Sequence, residues 1–283
     1  MKKLYIDIGG TYLRSELSSR GGVVIERETL SSQTTELMSY IDTKMRETPA
    51  ITFIGISYAG QVHDGVILSA PNIALRESAI KAAAKTDYGV HLEIDNDLSC
   101  AVMAEADCFR TKNIAALYVG TGIGAAYIDG GKVVRGGRNL AFEIGHIPYK
   151  EAPFRCGCGR TNCVELFASG SALSKWLHHY GSEKSSDLEA LKLSDIAEES
   201  SIAERFEAAL LHAAGTLVTI ANPDILVLGG GVIKHNPYLM ELLKDGLKDV
   251  ALAPSLETLR IEMTQLKNAP LEGVKLLEKR AYG

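Results

Sequence analysis

The stretch that decides the fold is LYIDIGGT at residues 4–11, an apolar run of β-branched and aromatic residues that ends in two glycines. Such a run predicts a buried strand over 4–8, and the glycines predict a turn directly after it. Alternating segments at 12–17 and 23–28 predict two further strands, which we expect to be antiparallel neighbours of the first. Helical spacing of apolar residues over 34–45 then predicts an amphipathic helix, so the chain opens as an α/β protein.

The same order of strand, glycine turn and strand returns in the middle of the chain. Residues 114–119 form an apolar run, which is followed by a glycine turn and a second apolar run. Two copies of one unit in tandem predict two lobes with a cleft between them, and such clefts are favoured ligand sites. Strand–turn units also recur by chance in α/β proteins, so the turns carry this argument. We place an N-terminal lobe at 1–110, completed by a C-terminal helix over 270–283, and a C-terminal lobe at 111–269.

The composition indicates a folded protein without an excess of positive charge. The chain has 283 residues, of which 46% are hydrophobic and 23% charged, enough apolar material for a large core. Its 30 Lys and Arg against 35 Asp and Glu give a net charge of −5, which argues against binding to nucleic-acid phosphates or anionic lipid. No apolar run approaches the roughly 18 to 20 residues that span a bilayer, and Asp7 interrupts any signal peptide. We expect a cytoplasmic protein with no nucleic-acid or membrane partner.

Three glycine turns follow three apolar strands, and two of the turns carry a hydroxyl group. Gly9-Gly10-Thr11 and Gly120-Thr121-Gly122 combine glycines, whose backbone N–H groups can approach an anion, with a threonine donor. The third turn, with Gly229 and Gly230, lacks a hydroxyl and suits a flat ring such as adenine. Asp7 precedes the first turn, and a carboxylate beside a phosphate-binding turn is placed to hold Mg²⁺. Each turn alone is most often only a turn, and none has the Walker A or dinucleotide spacing.

A cluster of cysteines predicts a metal site. Cys156, Cys158 and Cys163 lie close together in a glycine-containing loop, and His146 lies shortly before the first of them. Three thiolates and one imidazole match a closed tetrahedral Zn²⁺ site, which leaves no position for a reactive water. The alternatives are three unligated cysteines or a redox dithiol, and the dithiol is disfavoured because the cysteines do not lie at a helix N-terminus. We therefore expect a structural zinc.

The order of these motifs resembles the ROK family. The pattern is Asp-Ile-Gly-Gly-Thr from Asp7, Asn-Asp before a helix at Asn96, Gly-Thr-Gly-Ile-Gly from Gly120, Glu-Ile-Gly-His from Glu143, and Cys-Val-Glu ending at Glu165. The resemblance covers nearly the whole chain. It implies a two-lobed actin-like ATPase fold, which is ribonuclease H-like, with a structural zinc loop. The family holds bacterial sugar kinases and sugar-responsive repressors.

The resemblance also implies roles for individual residues. Asp97 matches the general base that accepts the proton of a sugar hydroxyl. The implied sugar-binding residues are Gly60 through its backbone, Asn96, Glu143, His146 and Glu165. Without the family pattern, an Asp or Asn at this place would most often cap the following helix, and the two glutamates would most often be surface carboxylates. ATP with Mg²⁺ is the implied co-substrate, and a homodimer is the implied assembly.

The implied reaction is transfer of the γ-phosphate of ATP to a hexose, with glucose phosphorylated at O6 as the leading expectation. N-acetylmannosamine kinases share the same signature, and a fructokinase is a third possibility. The alternative from another class is a sugar-sensing regulator. Repressors of the family carry a helix-turn-helix domain before the first strand, and here that strand begins at Leu4, so we expect no DNA-binding domain.

Two residues depart from the family pattern just ahead of Glu143. Many glucokinases of the family have glycine or another small residue where this chain has Asn139 and Phe142. A phenyl ring there could narrow the sugar pocket or pack behind it, and the sequence leaves both readings open. Asn72 stands where such kinases have a sugar-proximal loop, although a turn is at least as good a reading.

Overall fold

The protein divides into two compact units. The computed structural model describes residues 1–69, 77–181, 192–194, 196 and 200–282, so Asn72 lies outside the described residues. The first unit consists of Met1–Phe109, Arg135–Leu140 and Leu266–Gly283, and the second consists of Arg110–Val134 and Ala141–Gln265.

The first unit is built on a five-stranded sheet. Its elements up to the first boundary are β1 (Lys2–Ile8), β2 (Tyr12–Ser19), β3 (Val24–Ser31), α1 (Leu37–Glu47), β4 (Ile51–Tyr58), β5 (Val62–His63), β6 (Val66–Ile67), α2 (Ile80–Tyr88), β7 (His91–Asn96) and α3 (Asp97–Phe109). The sheet order is β3-β2-β1-β4-β7, with β5 and β6 forming a separate small hairpin. β2 pairs antiparallel with β1 as predicted, whereas β3 pairs with β2 and does not neighbour β1. The parallel strands β4 and β7 extend the other side of β1.

The second unit repeats this arrangement. Its elements are β8 (Ile114–Val119), β9 (Ile123–Asp129), β10 (Lys132–Val133), α4 (Gly170–His179), α5 (Ser200–Ala221), β11 (Ile225–Gly229), α6 (Gly231–His235), α7 (Tyr238–Val250) and β12 (Arg260–Met263), and the chain then ends with α8 (Ala269–Tyr282) in the first unit. The sheet order is β10-β9-β8-β11-β12, with antiparallel pairing before β8 and parallel pairing after it. The tandem repeat predicted from the two glycine turns is therefore confirmed.

The central strands are mostly apolar, without alternation, where both of their faces are buried. In β1 the five residues from Leu4 to Ile8 are all buried, and in β11 every residue is buried. A strand covered on both faces has no solvent side that requires polar residues, so its sequence does not alternate. Each unit has its own hydrophobic core around such strands.

Local chemistry explains where the helices differ from prediction. α1 begins at Leu37 because the Glu36 carboxylate accepts hydrogen bonds from the backbone N–H groups of Met38 and Ser39, as a helix cap does. α2 ends before Gly89, which takes the left-handed conformation that ends many helices. β12 was missed because it is a four-residue edge strand in which charged and apolar residues alternate, so its apolar signal is weak. None of the helices in the described ranges is both long and apolar enough to cross a membrane.

Gly273 marks the closest approach of α8 to α3. A Cβ at this position would overlap the backbone of Cys100 in α3, so no larger side chain fits without separating the two helices. We expect Gly273→Ala to lower the free energy of unfolding by about 1–3 kcal/mol, the usual cost of overpacking. Urea unfolding measures this loss. The matched control is Gly21→Ala, whose Cβ would meet only the Ser19 Oγ, at 3.9 Å; equal stability of the two variants would contradict the prediction.

Candidate functional site

Asp7 is buried near the end of β1 and is held by three polar side chains. Its Oδ1 accepts a hydrogen bond from the Ser57 hydroxyl at 3.0 Å, its Oδ2 accepts one from the Asn268 amide at 2.9 Å, and Arg14 lies 3.9 Å from Oδ2. Burial raises the pKa of Asp7, and the two hydrogen bonds and Arg14 counteract part of that rise. A nearby cation would favour the ionised carboxylate further. The carboxylate that was predicted to hold Mg²⁺ is therefore fixed in orientation.

The first glycine turn has an open face at Gly10. The Gly9 N–H donates to the Tyr12 carbonyl at 2.9 Å and closes the turn between β1 and β2. A Cβ on Gly10 would meet nothing within 4 Å, and its φ lies outside the left-handed region. Neither packing nor backbone conformation within the described residues therefore requires glycine at this position. Thr11 is exposed beside it. Close approach of another molecule would account for both features.

The second glycine turn lies under the carboxylate of Glu165. The Gly120 N–H donates to the Gly122 carbonyl at 2.9 Å, and the carbonyls of Gly120 and Thr121 accept from the first N–H groups of α4. A Cβ on Gly122 would come within 2.8 Å of the Glu165 Oε2, whereas one on Gly120 would meet nothing within 4 Å. Thr121 is exposed. The turn thus combines an open glycine with one that keeps room for Glu165.

The third glycine turn is explained by packing inside the second unit. A Cβ on Gly229 would collide with the ring of Tyr118. Gly230 has a φ of +91°, and a Cβ there would lie 2.2 Å from the Val119 carbonyl oxygen. Both positions therefore require glycine whether or not a ligand binds. Glycine at these two positions is by itself no sign of a nucleotide, and contact with adenine stays a prediction.

Asn96 holds Asp97 at the beginning of α3. The side-chain oxygen of Asn96, Oδ1, accepts hydrogen bonds from the backbone N–H groups of Leu98 and Ser99 at 3.0 and 3.1 Å, which is a helix cap. Its amide nitrogen donates to the Asp97 Oδ1 at 3.0 Å and to the Gly60 carbonyl at 3.1 Å. One side chain thus caps the helix and also orients the neighbouring carboxylate. The helix cap is therefore confirmed, and it leaves the Asp97 carboxylate in place for the predicted role as general base.

Gly60 has a steric reason to be glycine. A Cβ there would lie 2.5 Å from the Ser69 carbonyl oxygen and 2.7 Å from the Tyr58 ring. Its carbonyl accepts the hydrogen bond from Asn96, so the backbone at Gly60 and the Asn96–Asp97 pair form one connected group in the first unit. This supports the prediction that the backbone at Gly60 belongs with the pair.

Asp95 is neutralised by an arginine that sequence reasoning missed. The Arg135 guanidinium donates to both oxygens of Asp95, at 2.6 and 2.5 Å, and to the Asn139 Oδ1 at 3.0 Å. Asn139 in turn donates to the Val62 carbonyl at 2.8 Å and has a φ of +57°. Asn tolerates this left-handed conformation better than most residues do. The arrangement agrees with a structural role for Asp95, and no local pattern pointed to Arg135.

The predicted metal ligands converge in the second unit. One ligand atom each from His146, Cys156, Cys158 and Cys163 lies within 4.8 Å of all the others. The Cys156 sulfur is 3.6 Å from the His146 Nδ1, and the Cys158 and Cys163 sulfurs are 3.4 Å apart. Three sulfurs and one nitrogen at such separations fit a tetrahedral zinc site. His146 would then bind through Nδ1, which leaves Nε2 for other contacts.

Backbone hydrogen bonds shape the loop around this cluster. The Cys156 N–H donates to the Arg160 carbonyl at 2.8 Å, and the Gly159 N–H donates to the Cys156 carbonyl at 2.9 Å. Gly159 has a φ of +90°, which suits glycine at the tightest point of the loop. The Arg160 side chain donates to the His146 carbonyl at 2.7 Å. Burial raises the pKa of the Cys156 thiol to about 12 in the metal-free cluster, so bound metal would have to displace that proton.

Glu143 lies in a tight turn directly before His146. Its φ of −66° and ψ of 60°, with the Ile144 N–H donating to the Phe142 carbonyl at 2.6 Å, define an inverse γ-turn. The side chain is exposed, yet the protein atoms around it desolvate its carboxyl group and raise its pKa, with His146 lowering and Glu165 raising that pKa. In the second unit, the predicted sugar ligands Glu143, His146 and Glu165 therefore lie close enough for the charges of His146 and Glu165 to shift the pKa of Glu143.

Phe142 has a backbone conformation that bulky residues rarely adopt. Its φ is +64°, in the left-handed region, where a non-glycine residue costs about 1–2 kcal/mol. Its ring packs against the Tyr127 ring with centroids 5.4 Å apart and planes tilted by 58°. Such a pair contributes about 0.5–1.5 kcal/mol beyond burial. The ring therefore packs on the core of the second unit, which favours the second of the two readings of this departure.

Three partners of Asp7 and Asp95 came from outside the motifs, namely Ser57, Asn268 and Arg135. Ser57 lies opposite Asp7 in the register of β4 on β1, so correct pairing of these strands would have indicated it. Asn268 and Arg135 carry no such signal, because each comes from a distant part of the sequence.

Comparison with known proteins agrees with the fold and the motif order. An N-acetyl-D-glucosamine kinase of Erwinia tasmaniensis is 29% identical over 250 residues, covering 80% of this chain and 82% of that protein. A Listeria monocytogenes protein proposed as an N-acetylmannosamine kinase superposes with a TM-score of 0.83 at 23% identity, with both chains fully covered. A ROK family glucokinase of Streptomyces griseus, in complex with glucose and AMPPNP, has a TM-score of 0.77 at 21% identity and covers 99% of this chain and 100% of its own.

These structural likenesses confirm the predicted actin-like α/β fold with two equivalent sheets. The ROK family model matches residues 4–280, nearly the whole chain. The match includes every motif quoted above, from Asp7 to Glu165, and the chain belongs to the ROK family.

Proposed function

We propose that this protein is an ATP-dependent sugar kinase in which Asp97 is the general base. The observation that carries the proposal is the carboxylate of Asp97, held by the Asn96 amide at the first turn of α3. A base must be aimed at the proton that it accepts, and a residue held by a neighbouring amide meets that need. Membership of the ROK family and the relatives named as sugar kinases support the same reading.

The chemistry asks little of the protein beyond position and charge. Phosphoryl transfer requires an aligned hydroxyl, a proton acceptor and neutralisation of the phosphate charge. Asp97 would accept the proton of the sugar hydroxyl while the sugar oxygen forms a bond to the γ-phosphorus. The bond between the γ-phosphorus and the oxygen that bridges to the β-phosphate breaks in the same step. ADP then leaves, and the proton remains on Asp97 until solvent removes it. The positive end of the α3 macrodipole favours the ionised carboxylate that starts the reaction.

The nucleotide would bind through the glycine turns. We assign phosphate contacts to the N–H groups and hydroxyls of Gly9-Gly10-Thr11 and Gly120-Thr121-Gly122, and the adenosine side to Gly229 and Gly230. Asp7 would hold Mg²⁺ or its waters, which neutralise phosphate charge. The open space above Gly10 and Gly120 supports this assignment, since it leaves room for an anion against the backbone.

The sugar would be bound by Glu143, His146 and Glu165 together with Asn96 and the backbone at Gly60. A polyol needs several such groups because each hydroxyl both donates and accepts, and a wrong epimer leaves buried groups unpaired. Glucose was the sugar expected from the motifs. The relatives' names add N-acetyl-D-glucosamine, which sequence reasoning did not consider. They also keep N-acetylmannosamine among the candidate sugars. We therefore propose a hexose or N-acetylhexosamine as the acceptor.

A coupled assay tests the proposal directly. Purified protein with ATP and Mg²⁺ is offered glucose, N-acetylglucosamine, N-acetylmannosamine and fructose, and ADP release is followed for each. We expect one of them to give the highest kcat/KM, with the product's phosphate located by NMR. Binding of a sugar without ADP release would instead indicate the sugar-sensing regulator. Release of ADP at the same rate with and without every sugar would contradict the kinase.

The nucleotide assignment predicts that Gly10→Ala changes the KM for ATP and leaves the stability of the fold unchanged. A Cβ at Gly10 meets nothing within 4 Å, so the melting temperature is expected to stay unchanged. The added methyl would stand where phosphate oxygens approach the backbone, and we expect the KM for ATP to rise about tenfold or more. Gly21→Ala, also in an open turn, is the control and should leave that KM unchanged. An unchanged KM in Gly10→Ala would remove this turn from the nucleotide site.

A homodimer, implied by the family resemblance, is also part of the proposal. Light scattering coupled to size exclusion measures the mass of the assembly, and a mass of one chain at micromolar concentration would contradict it.

A further inference from the structure

We propose that Phe142 is a positioning residue that holds Glu143 for sugar binding. Its ring anchors a left-handed backbone, and this backbone sets the turn from which the Glu143 carboxylate projects. The inference rests on the proposed function, because it takes Glu143 as a sugar ligand.

Phe142 itself has a strained backbone conformation. A φ of +64° is a genuine outlier for an aromatic residue. Such conformations persist only where the surrounding structure over-determines them, and they cluster at functional sites. Gly136 and Asn139, shortly before it, also have positive φ values, but glycine and asparagine accept that conformation readily. Phe142 therefore needs a specific restraint.

The restraint is the contact with Tyr127. The two rings lie 5.4 Å apart, and Tyr127 is itself only 8% exposed within β9. Its hydroxyl donates to the Asn113 Oδ1 at 2.6 Å, directly before β8. The ring of Phe142 thus rests on a side chain whose backbone belongs to β9 and whose hydroxyl is held by Asn113.

A hydrogen-bonded turn links this anchor to Glu143. The Phe142 carbonyl accepts from the Ile144 N–H at 2.6 Å, so Glu143 is the central residue of a γ-turn that Phe142 opens. On the other side, the His146 N–H donates to the Glu143 carbonyl at 3.0 Å. Gly145 packs so closely that a Cβ would lie 2.5 Å from the Ile123 carbonyl oxygen. Since the turn is closely packed on the side of Gly145, the Phe142 ring is the restraint on its other side.

Phe142→Gly tests this in the whole enzyme. Glycine accepts the left-handed backbone but removes the anchor, so the turn is free to move. We expect the KM for the sugar to rise about tenfold or more, with the KM for ATP and kcat at saturating sugar within about threefold of wild type, because only ground-state sugar binding is weakened. Phe142→Tyr keeps the ring, so its KM for the sugar should equal that of wild type. A residue that merely fills the core would change the melting temperature and leave this KM split absent.

Phe142→Leu guards against loss of folding in the glycine variant. Leucine keeps apolar volume but offers no ring to Tyr127 and disfavours a positive φ, so the same rise in sugar KM is expected. An unchanged sugar KM in either folded variant, or an equal rise in the KM for ATP, overturns the inference while the kinase stands. A wild-type protein that phosphorylates no sugar overturns the proposed function and this inference together.

Discussion

Asp97→Asn is expected to lower kcat by about 10³-fold, within the range that general base catalysis supplies. Asparagine has the same shape and keeps an oxygen that can accept the hydrogen bonds of the Asn96 amide and the Leu98 N–H. The variant loses the negative charge of the carboxylate and, with it, the ability to take a proton. The dissociation constant of the sugar, measured by calorimetry, is therefore expected to stay within about threefold of wild type.

A control on the same helix separates chemistry from charge. Asp107→Asn removes an equal charge from an exposed position near the other end of α3 and should leave kcat unchanged. If Asp97→Asn retains kcat within about tenfold of wild type, Asp97 is not the base. If it loses sugar binding as well as turnover, its main role is to hold the sugar and the proposed division of labour is wrong.

Removal of zinc is expected to lower the melting temperature by about 10 °C and to abolish most activity. A closed site of three thiolates and one imidazole contributes its binding free energy to the folded state, and a few kcal/mol shift the melting temperature of a protein of this size by that amount. Activity should fall as well, because His146 is a ligand and Glu165 lies 3.5 Å from the Cys156 sulfur. Both are proposed to contact the sugar.

The experiment combines chelation with a pair of cysteine variants. Elemental analysis is expected to find one zinc per chain, and dialysis against a chelator followed by restored Mg²⁺ isolates the effect of zinc. Cys158→Ser removes an exposed ligand of the cluster, and Cys108→Ser removes an exposed thiol outside it. Only the first should lose zinc, stability and activity. Full activity and an unchanged melting temperature in zinc-free protein would show that the cluster has no structural metal.

The candidate site was predictable where its signal is local in sequence. The zinc ligands follow a spacing that loop geometry and donor chemistry nearly dictate, and all four converge in the structure. The pairing of Asn96 with Asp97 also follows from adjacency, since both come at the end of a strand and the beginning of a helix. By contrast, the glycines at 229 and 230 were read for a ligand, whereas packing on Tyr118 and Val119 already requires them.

Sequence by itself determined most of the strands, with β12 as an exception, that one unit is repeated, and which chemical groups follow the central strands. These features depend on burial periodicity and on turn residues, which are properties of short windows. Tertiary structure alone decided which distant groups meet. Asn268 reaches Asp7 from the other end of the chain, Arg135 neutralises Asp95, and the ring of Tyr127 holds Phe142 in its left-handed conformation. The physical reason is that periodicity reports which face of an element is buried, whereas partner identity depends on the packing of elements far apart in sequence.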